Sequence, residues 1–359
     1  MTTPPRSVLV VIPRRIGDVL LATPLMRSIK RGWPGIAIDA LVFEGTEGVL
    51  EANPDLRRII PVAEKPGFGP HLAFLLRLWR RYDMALSLVP GDRPTLYAFA
   101  AGRWRAGLLV DRRKESWKKR LLDRWLPFDN LNTHTVRMHL ALAAALGIDP
   151  VAEVVTGWRD DDRRQVERLL GTAAEPLAVL HAYPKFNYKM WHRDGWIEVA
   201  RWLAARGYRV ALSGGNDAAE LAYLADLARG MPATTIVAAG KLSLGAAACL
   251  VSRAALYVGT DTALTHVAAA QGVPTVALFG PSNPVKWGPW PRDHAADADP
   301  WKRCGTQRRG NVLLLQGVGG CVPCLLEGCD RNIASFSDCL QQLSAGRVIA
   351  AIAAVTGDG

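Results

Sequence analysis

Short apolar runs separated by amphipathic stretches set the rhythm of this chain from its start. Ser7–Ile12 reads as a buried strand, Gly17-Asp18 as a turn, and Val19–Arg31 as a helix closed by Gly32 and Pro34. Ile36–Phe43, Arg58–Val62 and Met84–Val89 read as further strands. Helical patterns cover Leu72–Arg81 and Thr133–Leu146, the second ended by Gly147 and Pro150. A polar stretch, Trp158–Arg164, opens another helix and marks a connection, after which the rhythm restarts. Strands at 177–181, 209–213, 235–238, 255–258 and 275–279 then alternate with helices at 193–206, 217–229, 244–252 and 262–271.

Strands and helices alternating at this period mean βαβ units and mostly parallel sheets. The expected fold class is therefore α/β, with two Rossmann-like, doubly wound domains. Ligands are expected in an interdomain cleft, beyond the carboxyl ends of the strands. The pattern predicts an N-terminal Rossmann-like domain over 1–160 and a second over 161–335, the roles of acceptor-binding and nucleotide-sugar domain being left to the motifs and the resemblance below. The C-terminal helix within 336–359 is a candidate to pack back on the N-terminal domain.

A length of 359 residues suits two cores, and 49% hydrophobic with 21% charged residues is globular composition. No stretch offers the ~20 apolar residues needed to cross a bilayer. Ser7–Ile12 is too short for a signal-peptide core, so the cytoplasm is the expected compartment. A formal charge of +11 calls for a polyanionic neighbour: nucleic acid, anionic lipid or phosphorylated sugar.

Three motifs carry candidate chemistry. Asp18, in Arg14-Arg-Ile-Gly-Asp18, follows the first strand and either serves as a general base or caps the next helix. Tyr257-Val-Gly-Thr-Asp-Thr-Ala-Leu-Thr-His266 is a strand, a turn and a helix start. There Thr260, Thr262 and the free amides form an anion site fit for a nucleotide diphosphate. Asp261 either caps that helix or binds a sugar hydroxyl, and His266 is either a donor contact or a core histidine. Lys189, in His181–Trp191, is placed to stabilise the charge of a leaving nucleoside diphosphate, with Lys185 as competitor and a solvated loop lysine as the plainer alternative. Glu220, behind Ser213-Gly-Gly-Asn216, either holds a ribose or is a first-turn glutamate favoured by the helix dipole. Gly280–Pro284 is a loop able to border a sugar.

Neither Gly-x-Gly-x-x-Gly nor a Walker loop follows the first strand, and no Asp-x-Asp marks a sugar-nucleotide metal site. A reaction without metal or other cofactor is therefore expected. Asp160-Asp161-Asp162 reads as an exposed helix start.

Together these residues resemble glycosyltransferase family nine, the ADP-heptose:lipopolysaccharide heptosyltransferases, from Val8 to about Val355. The specific segments are Arg15–Pro24, Lys189-Met-Trp191, Gly259–His266 and Pro274–Pro281. The resemblance implies a GT-B fold and inverting transfer of heptose from ADP-heptose to an anionic, lipid-anchored inner-core sugar at the cytoplasmic face of the inner membrane. It matches Asp18 to the family's base, Lys189 to its donor-phosphate lysine, and Asp261, Thr262 and His266 to its donor signature. Glu220 and Leu242 fall near positions that border the nucleoside. Two departures stand out: Ala263 replaces the usual glycine, and the His181–Trp191 loop lacks the small hydroxyl residues of some members.

Arg112, Arg113, Lys114, Lys118, Lys119 and Arg120 alternate with apolar residues through Trp125, as in an interfacial helix. They are candidates to contact anionic lipid or phosphorylated sugar; a solvated basic helix packing Leu and Trp inward is the alternative. No nucleic-acid module accompanies them, so no nucleic-acid partner is expected. Cys321, Cys324, Cys329 and Cys339 contain half of a Cys₄ metal pattern, but their irregular spacing favours packing thiols. Competing functions are a transferase or epimerase using another sugar nucleotide, and a non-catalytic binding protein.

Overall fold

Two alternating β/α series form the chain in the computed structural model, which describes residues 4–172 and 174–357. The first unit comprises residues 1–155 with the returning segment 295–299; the second comprises 156–294 and 300–359. The first contains β1 (Ser7–Val11), α1 (Ile16–Leu20), α2 (Thr23–Gly32), β2 (Ala37–Phe43), β3 (Arg58–Val62) and α3 (Phe68–Leu78). It continues with β4 (Tyr82–Ser87), α4 (Asp92–Ala101), β5 (Gly102–Leu109), α5 (Ser116–Lys119), β6 (Arg124–Pro127) and α6 (Thr135–Ala145). Its sheet runs β3-β2-β1-β4-β5-β6, every pairing parallel.

The second unit opens with α7 (Asp160–Leu170), β7 (Leu177–His181), α8 (Arg193–Ala204), β8 (Arg209–Ser213), α9 (Ala218–Gly230) and β9 (Ile236–Val237). Next come α10 (Leu244–Ser252), β10 (Leu256–Thr260), α11 (Ala263–Gln271), β11 (Thr275–Phe279) and α12 (Pro284–Trp287). β12 (Gln307–Arg309), β13 (Val312–Gln316), α13 (Asp338–Gln341) and α14 (Ala345–Thr356) complete it. The order is β12-β13-β11-β10-β7-β8-β9, parallel except for the β12–β13 pair. Both sheets thus reverse their strand order beside their first strand, between β1 and β4 and between β7 and β10. Such switch points leave a crevice at the carboxyl ends, because the flanking loops diverge to opposite faces.

Continuous apolar strands explain the parallel sheets. Val8–Ile12, and Val179 and Leu180 in β7, are fully buried because helices cover both faces. The second core draws in Val348, Ile352 and Val355, so α14 packs within the second unit, against α8, β11 and β13. The C-terminal helix expected within 336–359 is α14, whose apolar face matches the β7–β13 core. Residues 295–299 return to the first unit, where the Asp299 carboxylate accepts from the His134 amide at 3.0 Å and Arg137 at 2.7 Å.

The expected helix over Val19–Arg31 is broken into α1 and α2, because Pro24 enters the first turn of α2 and can donate no amide hydrogen bond. The expected basic helix is likewise corrected. Residues 113–115 form a single 3-10 turn, α5 is one turn long, and Arg124 and Trp125 belong to β6. No helix among the described residues is long and apolar enough to cross a membrane.

Candidate active site

In the second unit the loops after β7, β8, β9 and β10 surround a cavity of about 740 Å³. This lies within the size range of small-molecule sites, roughly 300–1,000 Å³. His181, Tyr183 and Lys185 line it from the loop after β7, and Ser213–Asp217 with Glu220 from the loop after β8. Leu242–Leu244 and Ala247 close one side, and Thr262–Leu264 bring in the start of α11. Of the residues singled out in the sequence, Glu220, Leu242, Thr262, Ala263 and Lys185, the competitor of Lys189, therefore share one cavity.

Glu220 holds the glycine loop as well as facing the cavity: its carboxylate accepts from the Gly215 amide at 2.7 Å. Burial raises the Glu220 carboxyl above its ordinary range, against the lowering effect of that amide. Gly214 needs its missing side chain, since a Cβ there would meet Leu224 and lie 2.8 Å from a Glu220 oxygen. Asp217 caps α9 by accepting from the Ala219 amide at 3.0 Å.

Beside the cavity, Thr260, Asp261, His266 and Lys189 form a polar cluster at the start of α11. Lys189 Nζ lies 2.6 Å from Asp261 Oδ2. Burial would raise the Asp261 carboxyl, but the charge and hydrogen bond of Lys189, helped by Ser282, hold it below its ordinary value. His266 goes the other way: burial outweighs the nearby carboxylate and pushes its imidazole down to about 4, so it is neutral at pH 7. Thr260 Oγ1 and His266 Nδ1 are buried without a hydrogen-bond partner among the described residues. Thr262 is the N-cap of α11 yet makes no side-chain cap; its hydroxyl lies 3.3 Å from that of Thr265. The first amides of α11 thus keep their capacity for an external acceptor, and orphaned buried polar groups of this kind favour a polar ligand.

Ala263 begins α11 and is absent from the positive-φ residues. Alanine in place of glycine therefore brings no backbone strain here.

The Lys189 loop is braced by the C-terminal segment, which the sequence did not point to. Trp191 Nε1 donates to the Leu343 carbonyl at 2.7 Å. Ser337 Oγ donates to the Tyr188 carbonyl and Gln341 Nε2 to the Met190 carbonyl, both at 2.8 Å. His181 was also missed as a cavity residue: it ends β7, contacts Ser213 Oγ at 3.0 Å, and burial pushes it down to about 4. Its position at a switch-point strand end was the available signal.

In the first unit Asp18 occupies the first turn of α1, with Arg15 as N-cap, so it is not itself the capping residue. Its side chain is 11% exposed and 3.8 Å from Arg14 Nε. It stands just beyond the carboxyl end of β1, at that sheet's switch point. The basic segment divides. Lys118 is buried and ion-paired with Glu115 and, at 2.6 Å, with Asp92, while Lys119 pairs with Asp111 at 2.6 Å. Lys118 is thereby removed from the surface set, and Arg112, Arg113, Lys114 and Arg120 remain as exposed cations.

Cys321, Cys324, Cys329 and Cys339 are all free thiols; Cys329 Sγ accepts from the Asp338 amide. Burial, with the neighbouring cysteines, raises Cys339 to about 12. Among the described residues no group of three or more His, Cys, Asp or Glu side chains is arranged to hold a metal ion.

Two doubly wound units, the second with a helix start uncapped by a side chain beside a nucleoside-sized cavity, have the GT-B architecture of glycosyltransferases. Residues 75–302 match the model described as Glycosyltransferase family 9 (heptosyltransferase), and the chain belongs to that family. It is 31% identical to the lipopolysaccharide heptosyltransferase 1 of Pseudomonas aeruginosa, across 79% of this chain and 81% of that protein. It is 28% identical to the lipopolysaccharide heptosyltransferase 3 of Escherichia coli K12, across 76% of this chain and 82% of the relative. The solved E. coli ADP-heptose heptosyltransferase II shares the fold, with a TM-score of 0.75 over 98% of this chain and 99% of that one, at 20% identity.

Proposed function

We propose that this enzyme transfers heptose from ADP-heptose to a phosphorylated, lipid-anchored core sugar, with inversion and without a metal. The observation that carries the reading is the polar cluster at the head of α11, adjoining the cavity lined by Glu220 and Leu242. Nucleoside would occupy the cavity, and the diphosphate would meet the first amides of α11. The names of the relatives supply the sugar and the acceptor class.

In the reaction, Asp18 takes the proton of the acceptor hydroxyl as that oxygen bonds to the anomeric carbon. The anomeric carbon–phosphate oxygen bond breaks on the opposite face, and ADP leaves with the electron pair. Charge growing on the diphosphate is stabilised by the α11 dipole and by Lys189, positive groups that need no reorganisation during transfer. Arg112, Arg113, Lys114 and Arg120 would receive the acceptor's phosphates, placing the enzyme at the cytoplasmic face of the inner membrane.

The test is turnover of ADP-heptose with a lipopolysaccharide core acceptor, with and without chelator. Asp18→Asn should keep ADP affinity and lose about 10²–10⁴ in turnover, the range for a missing general base. Full activity of Asp18→Asn removes the base. Epimerised donor in place of a glycosylated product removes the transferase reading.

A further inference from the structure

Helix α3 buries only one of its two apolar faces. His71 and Phe74 pack edge-on against Tyr97 of α4, with ring centroids 5.4 and 5.6 Å apart, and Leu78 is buried. The neighbouring arc is apolar too, and open to solvent: Phe68 is 85% exposed, Leu72 46%, Leu76 66% and Trp79 55%. Their spacing of four, four and three residues sets them along one stripe, since each residue turns a helix by about 100°. An unbroken stripe of large apolar side chains is unlike the single exposed leucines of ordinary surfaces and marks a contact site.

The surrounding charge identifies the partner. From Lys65 to Arg81 the chain carries Lys65, Arg77, Arg80 and Arg81 and no carboxylate. None of these cations makes an ion pair among the described residues, in contrast to Lys118 and Lys119. Trp79 ends the stripe beside Arg80 and Arg81, touching Phe99 with centroids 6.0 Å apart. Apolar residues on one arc, an indole at its end and unpaired arginines beside it suit a bilayer interface: acyl chains take the stripe, headgroup phosphates take the guanidinium groups. A second copy of the chain would set these like charges against each other.

We infer that α3 is the membrane-docking face of this enzyme, seating Phe68, Leu72, Leu76 and Trp79 in an anionic phospholipid surface with Arg77, Arg80 and Arg81 on its headgroups. The choice of a bilayer as occupant rests on the reading of the acceptor as lipid-anchored. The basic segment around Arg112 is then left to the acceptor's own phosphates.

Binding to vesicles of phosphatidylethanolamine and phosphatidylglycerol, followed by co-sedimentation without sugar nucleotide, tests this. Leu72→Ser/Leu76→Ser should weaken vesicle affinity about tenfold or more, from the apolar area lost. Arg77→Ala/Arg81→Ala should weaken it at low salt, and the difference should fade as salt rises. ADP affinity and the thermal transition should stay unchanged, because the altered side chains are exposed. If the double serine variant unfolds, Phe68→Ser, at the most exposed position, reads the same effect. Undiminished vesicle binding by folded variants overturns the assignment, as does a dimer of the unaltered protein abolished by the same substitutions. ADP-heptose binding measured without vesicles tests the proposed function separately: its failure with vesicle docking intact would leave α3 in place and remove the donor.

Discussion

Replacing Lys189 by alanine removes the ammonium 2.6 Å from the nearly buried Asp261 carboxylate. Breaking a buried pair from one side costs about 3–5 kcal/mol, and the 20% exposure of the Lys189 side chain argues for the lower end, about 3 kcal/mol. For a unit of this size that is a drop of roughly 6–12 °C in thermal midpoint. The loss should also depend on pH. Lys189 is what keeps Asp261 ionised against burial, so in Lys189→Ala the carboxyl rises above its unfolded value. A group raised on folding stabilises the native state below its unfolded pKa and destabilises it above, so the deficit shrinks on acidification. The double variant Lys189→Ala/Asp261→Asn should recover most of the stability and lose the pH dependence. Neither variant should recover donor affinity, which falls about 10–100-fold with one charge-assisted phosphate contact gone. Urea unfolding at several pH values and ADP calorimetry supply the measurements. A deficit equal at acid and alkaline pH, or ADP affinity restored in the double variant, would refute the assignment of Lys189 to both carboxylate and phosphate.

His181 and His266 are each held at about 4 against an ordinary 6.5, so the unfolded chain takes up protons first as pH falls. Stability should decline between those values by on the order of 3 kcal/mol for each histidine, then level off; a flat urea midpoint across that window contradicts it. Gly214→Ala forces a methyl group onto Leu224 and Glu220, so it should cost about 1–3 kcal/mol and weaken ADP binding, read by thermal shift with added ADP. Ala263→Gly, which installs the glycine that the family resemblance implies, should leave ADP affinity within about twofold and lower stability by less than about 1 kcal/mol. A large gain in affinity would mean that the methyl group obstructs the diphosphate.

The alternation of apolar and amphipathic segments determined the fold class, because strands buried on both faces must read as unbroken apolar runs. Helix α10 and strand β11 fall where that alternation puts them. β5 escaped notice because Arg103, Trp104 and Arg105 interrupt its apolar run and stay exposed or half-buried. Strand–turn–helix patterning likewise put Asp18, Lys189 and Asp261 in segments that follow strands. Tertiary structure alone decided which charges meet. Lys118 and Arg113 look alike in sequence, yet one is turned inward onto Asp92 and Glu115 while the other stays in water. The bracing of the Lys189 loop by Ser337, Gln341 and Leu343 joins residues about 150 positions apart, and helix α3 shows its second apolar face only once the first is packed. Local patterning follows from the chain's own period, whereas partners distant in sequence are fixed by the closing of a core, which no window of neighbouring residues encodes.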